Sequence, residues 1–180
     1  MPKHVIAVVS GKGGVGKSTV ALNYATLLSL QGVSTLLIDA DFYNPCIGLC
    51  LGLWQQPVGF QHVLAGTAKM EDAVTLYPAS GLRICLSSLN YFRSVKTENL
   101  KRIIEKLDYD VIVIDSPPGL SGVVEDIVTV CNELFVVLTP DVPSVTSATK
   151  LAAITEANPA AANNPRVFTY ILNRVANRSW

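Results

Sequence analysis

The chain has 180 residues, 49% of them hydrophobic and 16% charged, with 14 Lys and Arg against 14 Asp and Glu. That length and apolar content describe one domain with an ample core and exclude a disordered polypeptide. A net charge of zero gives no general attraction to a phosphate backbone, so DNA is not an expected partner.

The first apolar run, Val5 to Val9, is rich in β-branched residues and reads as a buried strand. It breaks at Ser10-Gly11-Lys12, too early for a secretory signal core. No run reaches the roughly 18 apolar residues of a spanning helix. Lys17 to Gln31 follows as a helix that Gly32 stops. Thr35 to Ile38 is the next strand, and Asp39 ends it. Val58 to Val74 is expected to hold two short helices around Gly66. The strand Arg83 to Leu86 precedes a helix over Thr97 to Leu107. The strand Val111 to Ile114 ends in Asp115 and leads to a helix over Gly122 to Cys131. The strands Leu134 to Leu138 and Val167 to Leu172 flank a helix over Ser144 to Ala157 and a loop over Ala157 to Pro165.

Strands that alternate with helices need crossover connections. The predicted fold is therefore α/β in three layers, a mostly parallel sheet covered by helices on both faces. Ligands of such sheets bind beyond the carboxyl ends of the strands. The chemically suggestive residues (Gly11 to Ser18, Asp39, Asp115, Asn173) all follow a strand directly.

Gly11-Lys12-Gly13-Gly14-Val15-Gly16-Lys17-Ser18 matches GxxxxGK[ST], the phosphate-binding loop or P-loop. Glycines let successive amides turn inward around phosphate oxygens, and the helix that follows adds its dipole. Lys17 is expected at the β- and γ-phosphates and the Ser18 hydroxyl at Mg²⁺. Lys12 is not needed for that cradle. At the mouth of the loop it would serve as a solvated cation or would reach across an interface.

Carboxylates are needed near the metal and near the attacking water. We assign Asp115 to the Mg²⁺ shell through water, Asp39 to the metal side and Asp41 to the orientation of the water. Each of the three, taken singly, is also a common cap or turn former. Gly119, after Ser116-Pro117-Pro118, is expected to bring an amide to the γ-phosphate. No arginine precedes Arg83, which leaves Lys12 as the best-placed extra cation. His4 and His62 read as structural histidines. Cys46, Cys50, Cys85 and Cys131 form no CxxC pair and no zinc spacing, so reduced and mostly buried thiols of a cytoplasmic protein are expected.

Lys12 to Thr19, Lys-Gly-Gly-Val-Gly-Lys-Ser-Thr, resembles the deviant Walker A motif of the MinD/ParA/Mrp ATPases. Asp39-Ala40-Asp41 resembles that group's switch I and Asp115 to Gly119 its switch II. Asn173-Arg174 resembles its adenine-recognition segment. The resemblance implies an Mg-ATP-dependent switch, a homodimer around sandwiched nucleotides, and a Lys12 that acts on the partner's phosphates. It places Gly11 to Thr19 around ATP, the Asn173 amide on the purine edge and Arg174 beside the ring. It also implies a regulatory protein partner and a role in positioning within the cell.

Val63 to Gly66, Met70 to Val74 and Thr139 to Val145 are similar to MinD. Asp41 to Ile47 and the double proline are similar to Mrp-type iron–sulfur carriers. An ATP-gated cluster carrier and a nucleotide-binding module without turnover are the alternatives. The family continues beyond the Asn173 strand, so we expect residues 1–180 to be a single ATPase domain without the family's C-terminal part. Any membrane contact would then belong to a segment outside these residues.

Overall fold

The computed structural model describes residues 4–53, 56–89, 95–157 and 167–175. A seven-stranded sheet forms the middle layer, in the order β3-β4-β2-β5-β1-β6-β7. Its strands are β1 (His4–Val9), β2 (Thr35–Asp39), β3 (Val74–Tyr77), β4 (Leu82–Cys85), β5 (Val111–Asp115), β6 (Glu133–Leu138) and β7 (Val167–Leu172). All neighbours pair in parallel except β3, which runs antiparallel to β4 at the edge.

The helices are α1 (Lys17–Leu30), α2 (Ile47–Leu51), α3 (Phe60–Leu64), α4 (Met70–Ala73), α5 (Leu100–Lys106), α6 (Gly122–Val130) and α7 (Val142–Ala157). Successive strand residues point to opposite faces, and the core divides accordingly. Val5, Ala7 and Val9 of β1 join Ile112 and Ile114 of β5 on one face, with α3, α5, α6 and α7 packed over them. Ile6 and Val8 join Val113 and Leu37 on the other, under Ala21 and Ala25 of α1 and Ile47 of α2. Both faces being buried explains why the strands read as continuous apolar runs rather than as alternating ones.

The expected three-layer α/β fold is observed, and all six expected strands are present. Three features differ from the sequence reading. β3 is an extra strand, and its first residue, Val74, is the last of the segment expected to be helical. α2 follows the Asp39 loop where no helix was expected. α5 begins at Leu100 rather than at Thr97, whose hydroxyl bonds the Asp126 carboxylate of α6 instead of serving as a cap. The two short helices expected around Gly66 are α3 and α4. The predicted loop over Ala157 to Pro165 falls, past Ala157, outside the described residues.

This order places β1 at the point where the chain's crossovers diverge, between β5 and β6. A crevice opens at such a point beyond the carboxyl ends of the strands. Ser10, Ala40, Ser116, Thr139 and Asn173, which directly follow β1, β2, β5, β6 and β7, rim it.

Candidate nucleotide site

Ser10 to Gly16 carry the chain from β1 into α1. Gly14 and Gly16 lie at φ +76° and +95°, in the left-handed region that side chains strain to adopt. A Cβ on Gly16 would also sit 2.2 Å from the Asn173 amide nitrogen. At Gly11 the limit is contact, since a Cβ there would lie 2.4 Å from the Ser147 Cβ of α7. Gly16 is the cap of α1 and Lys17 its first residue, so the dipole of a 14-residue helix points its positive end into the loop.

The loop borders a cavity of about 360 Å³ whose lining includes Gly13, Gly16, Lys17, Ser18, Thr19 and Asp41. Lys17 is 6% exposed, and its ammonium donates to Asp115 Oδ1 at 2.6 Å and to Ser18 Oγ at 3.3 Å. Asp39 and Asp115 end adjacent strands in direct register, and both are fully buried. Asp39 Oδ1 accepts from the Asp41 amide at 3.0 Å, and Asp41 Oδ1 accepts from the Asn44 amide at 3.0 Å. Asp39 Oδ2 and Asp115 Oδ2 have no hydrogen-bond partner.

Two buried carboxylates against one ammonium form an unbalanced group. Burial, then the neighbouring Asp115 charge, pushes the Asp39 carboxyl from 3.8 up to about 8. Burial also raises Asp115, against the opposing pull of Lys17. The unfolded chain releases the Asp39 proton near pH 4. Between about pH 4 and 8 the native state therefore binds more protons than the unfolded state, and stability falls as pH rises. In Asp39→Asn we expect that slope to shrink, measured by urea unfolding at pH 5 and pH 8 without nucleotide or Mg²⁺. An unchanged slope would mean that this carboxyl is ionised across the whole range.

The orphaned oxygens suit a divalent cation. Among the described residues no three His, Cys, Asp or Glu side chains cluster as metal ligands. The fit is thus to a cation that takes one or two carboxylates and completes its shell with phosphate and water, which is the habit of Mg²⁺.

Lys12 lies at the outer rim, half-exposed, with its ammonium 3.3 Å from Asp141 Oδ1. The Thr139 hydroxyl, the Ser144 amide and Lys12 hold the Asp141 carboxyl below its ordinary range. A second opening of about 400 Å³ lies there, between Lys12, Asp141 and Arg174. Asn173 Nδ2 donates to the Val15 carbonyl at 2.8 Å, so this side chain packs on the P-loop backbone and keeps its carbonyl oxygen as an acceptor. Arg174 adopts φ 56° and borders both cavities.

The structure places Gly11 to Thr19, Asp39, Asp41, Asp115, Asn173 and Arg174 at the same end of the sheet. The Gly119 amide donates to the Ser10 carbonyl at 2.8 Å and clamps the Asp115 loop to β1. The thiols differ from the sequence reading. Cys85 and Cys131 are buried, but Cys50 is exposed and Cys46 half-exposed at the cavity. His4 pairs with Glu133, and the His62 ring accepts from the Gly59 amide, both structural uses. Sequence reasoning missed the contact of Asp141 with Lys12 and the place of Cys46 in the cavity lining. Asp141 closely follows the end of β6, the one signal that marked it.

A family model described as the NUBPL iron-transfer P-loop NTPase, of ParA type, matches residues 1–161. The chain belongs to the ParA-type P-loop NTPase family. An uncharacterized ATP-binding protein of Methanocaldococcus jannaschii is 33% identical to this NTPase over 97% of the chain and 65% of its own length. The solved cell division ATPase MinD of Pyrococcus furiosus superposes with a TM-score of 0.87 at 26% identity, covering 98% of this chain and 74% of that one. The septum site-determining protein MinD of Pyrococcus horikoshii, complexed with Mg-ADP, gives 0.86 at 28% identity, covering 98% and 72%. This NTPase spans 60% to 65% of the length of the curated relatives it matches first. Among its described residues no helix is long and apolar enough to cross a membrane.

Proposed function

We propose that this chain is a cytoplasmic Mg-ATP-dependent switch of MinD type, a single ATPase domain that binds and hydrolyses ATP and closes into a homodimer around it. The observation that carries the reading is the Lys17–Asp115 pair at 2.6 Å beside two unpartnered carboxylate oxygens. This buried charge group, set at a P-loop, suits an incoming triphosphate and its cation. The MinD neighbour complexed with Mg-ADP supports the same ligand.

In this reading the loop amides of Gly13 to Lys17 hold the phosphates, and Lys17 turns from Asp115 toward the β- and γ-phosphates. Mg²⁺, held by Ser18 and reached through water by Asp115 and Asp39, would neutralise charge on the β- and γ-oxygens. Asp41 orients the attacking water from the cavity wall. The Asn173 carbonyl accepts from the exocyclic amine of adenine while Arg174 flanks the ring. Lys12 exchanges Asp141 for the phosphates of a second copy and stabilises charge as the γ-phosphate leaves. A regulatory protein then reads the closed state. A phosphate-release assay tests the reading: turnover that requires Mg²⁺ is expected, and nucleotide binding without turnover would leave a binding module.

The description of the family model favours a second reading, an ATP-gated iron–sulfur carrier. Anaerobic reconstitution separates the two. Iron retained by a Cys46–Cys50 pair would favour the carrier, and loss of iron on desalting would favour the switch.

A further inference from the structure

Cys46 caps α2 immediately after the Asp41 loop, and its half-buried side chain lines the same cavity as Lys17 and Ser18. Burial raises the thiol, and the Ser18 hydroxyl and the Asp115 and Asp39 charges act on it in addition. Those two carboxylates carry the unpartnered buried oxygens. Cys46 therefore shares the cavity wall with Lys17 and Ser18, the residues expected to hold the terminal phosphates and the cation. Cys50 is one helical turn further on, its amide bonded to the Cys46 carbonyl at 3.0 Å. It is exposed and is not part of the cavity wall. Cys85 and Cys131 are fully buried in the core.

We propose that Cys46 is a covalent modification site for small disulfides, and that the mixed disulfide and Mg-nucleotide exclude one another. The exclusion rests on the nucleotide reading above. The Cys46 sulfur attacks one sulfur of the disulfide, and a new S–S bond forms as the old one breaks. The departing thiolate takes up the proton that Cys46 gives up, so the small disulfide is the only oxidant required. The attached group then fills the cavity beside Ser18, where it displaces the cation and the phosphates. A group attached to Cys50 projects into solvent and leaves the cavity open. Selectivity follows from exposure, since the two core thiols cannot be reached without unfolding.

The test uses 2,2′-dithiodipyridine on the folded chain, in the unmodified form and in Cys46→Ser and Cys50→Ser. Thiopyridone release reports the rate, and peptide mapping reports the site. Burial holds the Cys46 thiol above its ordinary value, so a disulfide with a readily departing group is the suitable probe.

We expect saturating Mg-ADP to slow labelling of Cys46 by about tenfold or more, and labelling to weaken Mg-ADP binding by at least about tenfold. A reducing thiol should restore binding. Cys50→Ser should keep both effects and Cys46→Ser should lose both. A Cys46 that does not react in the folded chain, or that reacts equally fast with and without nucleotide, would overturn the proposal. So would labelled protein that binds as tightly as unlabelled. Failure of the unlabelled chain to bind Mg-ADP would overturn the nucleotide reading itself, and the exclusion with it.

Discussion

Lys17→Met is expected to weaken Mg-nucleotide binding by at least about a hundredfold and to destabilise the nucleotide-free fold by about 3–5 kcal/mol at pH 8. The first effect is the loss of a charge-assisted contact to phosphate. The second arises because Lys17 is the cation bonded, at 2.6 Å, to the fully buried Asp115 carboxylate. Without it Asp115 must be buried as an unpaired charge or take up a proton. The carboxyl already stands above its ordinary value, and removing the cation raises it further.

The native state of the variant then holds a proton that the unfolded state releases. The cost is accordingly small below pH 5 and grows as pH rises. Adding Asp115→Asn to Lys17→Met should recover most of the stability at pH 8 and none of the binding. Urea unfolding at both pH values decides. A pH-independent loss, or no rescue by the double variant, would mean that Lys17 supports the fold through packing rather than charge.

The second large effect is on turnover. Asp41→Asn is expected to bind Mg-ATP within a few-fold of the unmodified chain while phosphate release falls by about 10²–10⁴. Asparagine keeps the oxygen that accepts the Asn44 amide at 3.0 Å, so the loop retains its shape. What it removes is the negative charge at the cavity wall that orients and polarises the attacking water. Asp41 is favoured over Asp39 for this role because it lines the cavity and Asp39 does not. Unchanged turnover in Asp41→Asn would move the water-orienting role elsewhere in the site.

The architecture was legible because the strands are buried on both faces and bounded by glycine, aspartate or proline. Val111 to Asp115 and Val5 to Val9 show this best, and each lies in the sheet where an apolar run requires it. The P-loop was legible for a related reason, since its glycines and lysine hold fixed spacings within a single turn of chain. What escaped was either short or long-range. α2 has five residues, too few for a helical period to show, and β3 has four at a sheet edge with no buried residue among them. The Lys17–Asp115 and Lys12–Asp141 pairs join residues 98 and 129 positions apart, which no local pattern encodes. The bond from the Gly119 amide to the Ser10 carbonyl is of the same kind, since it arises only when parallel β1 and β5 lie side by side. The sequence likewise does not reveal that Cys46, just ahead of α2, lines the cavity rather than the core.

The proposed homodimer requires Lys12, now held by Asp141 at 3.3 Å and half-exposed, to act on the phosphates of a second copy. Mass in solution by light scattering, with Mg-ATP and with Mg-ADP, for the unmodified chain and for Lys12→Ala, tests this directly. A monomer with ADP, a dimer with ATP, and loss of the dimer or of its turnover in the variant are expected. A chain that binds ATP yet stays monomeric, or a Lys12→Ala variant that dimerises and turns over as before, would contradict it.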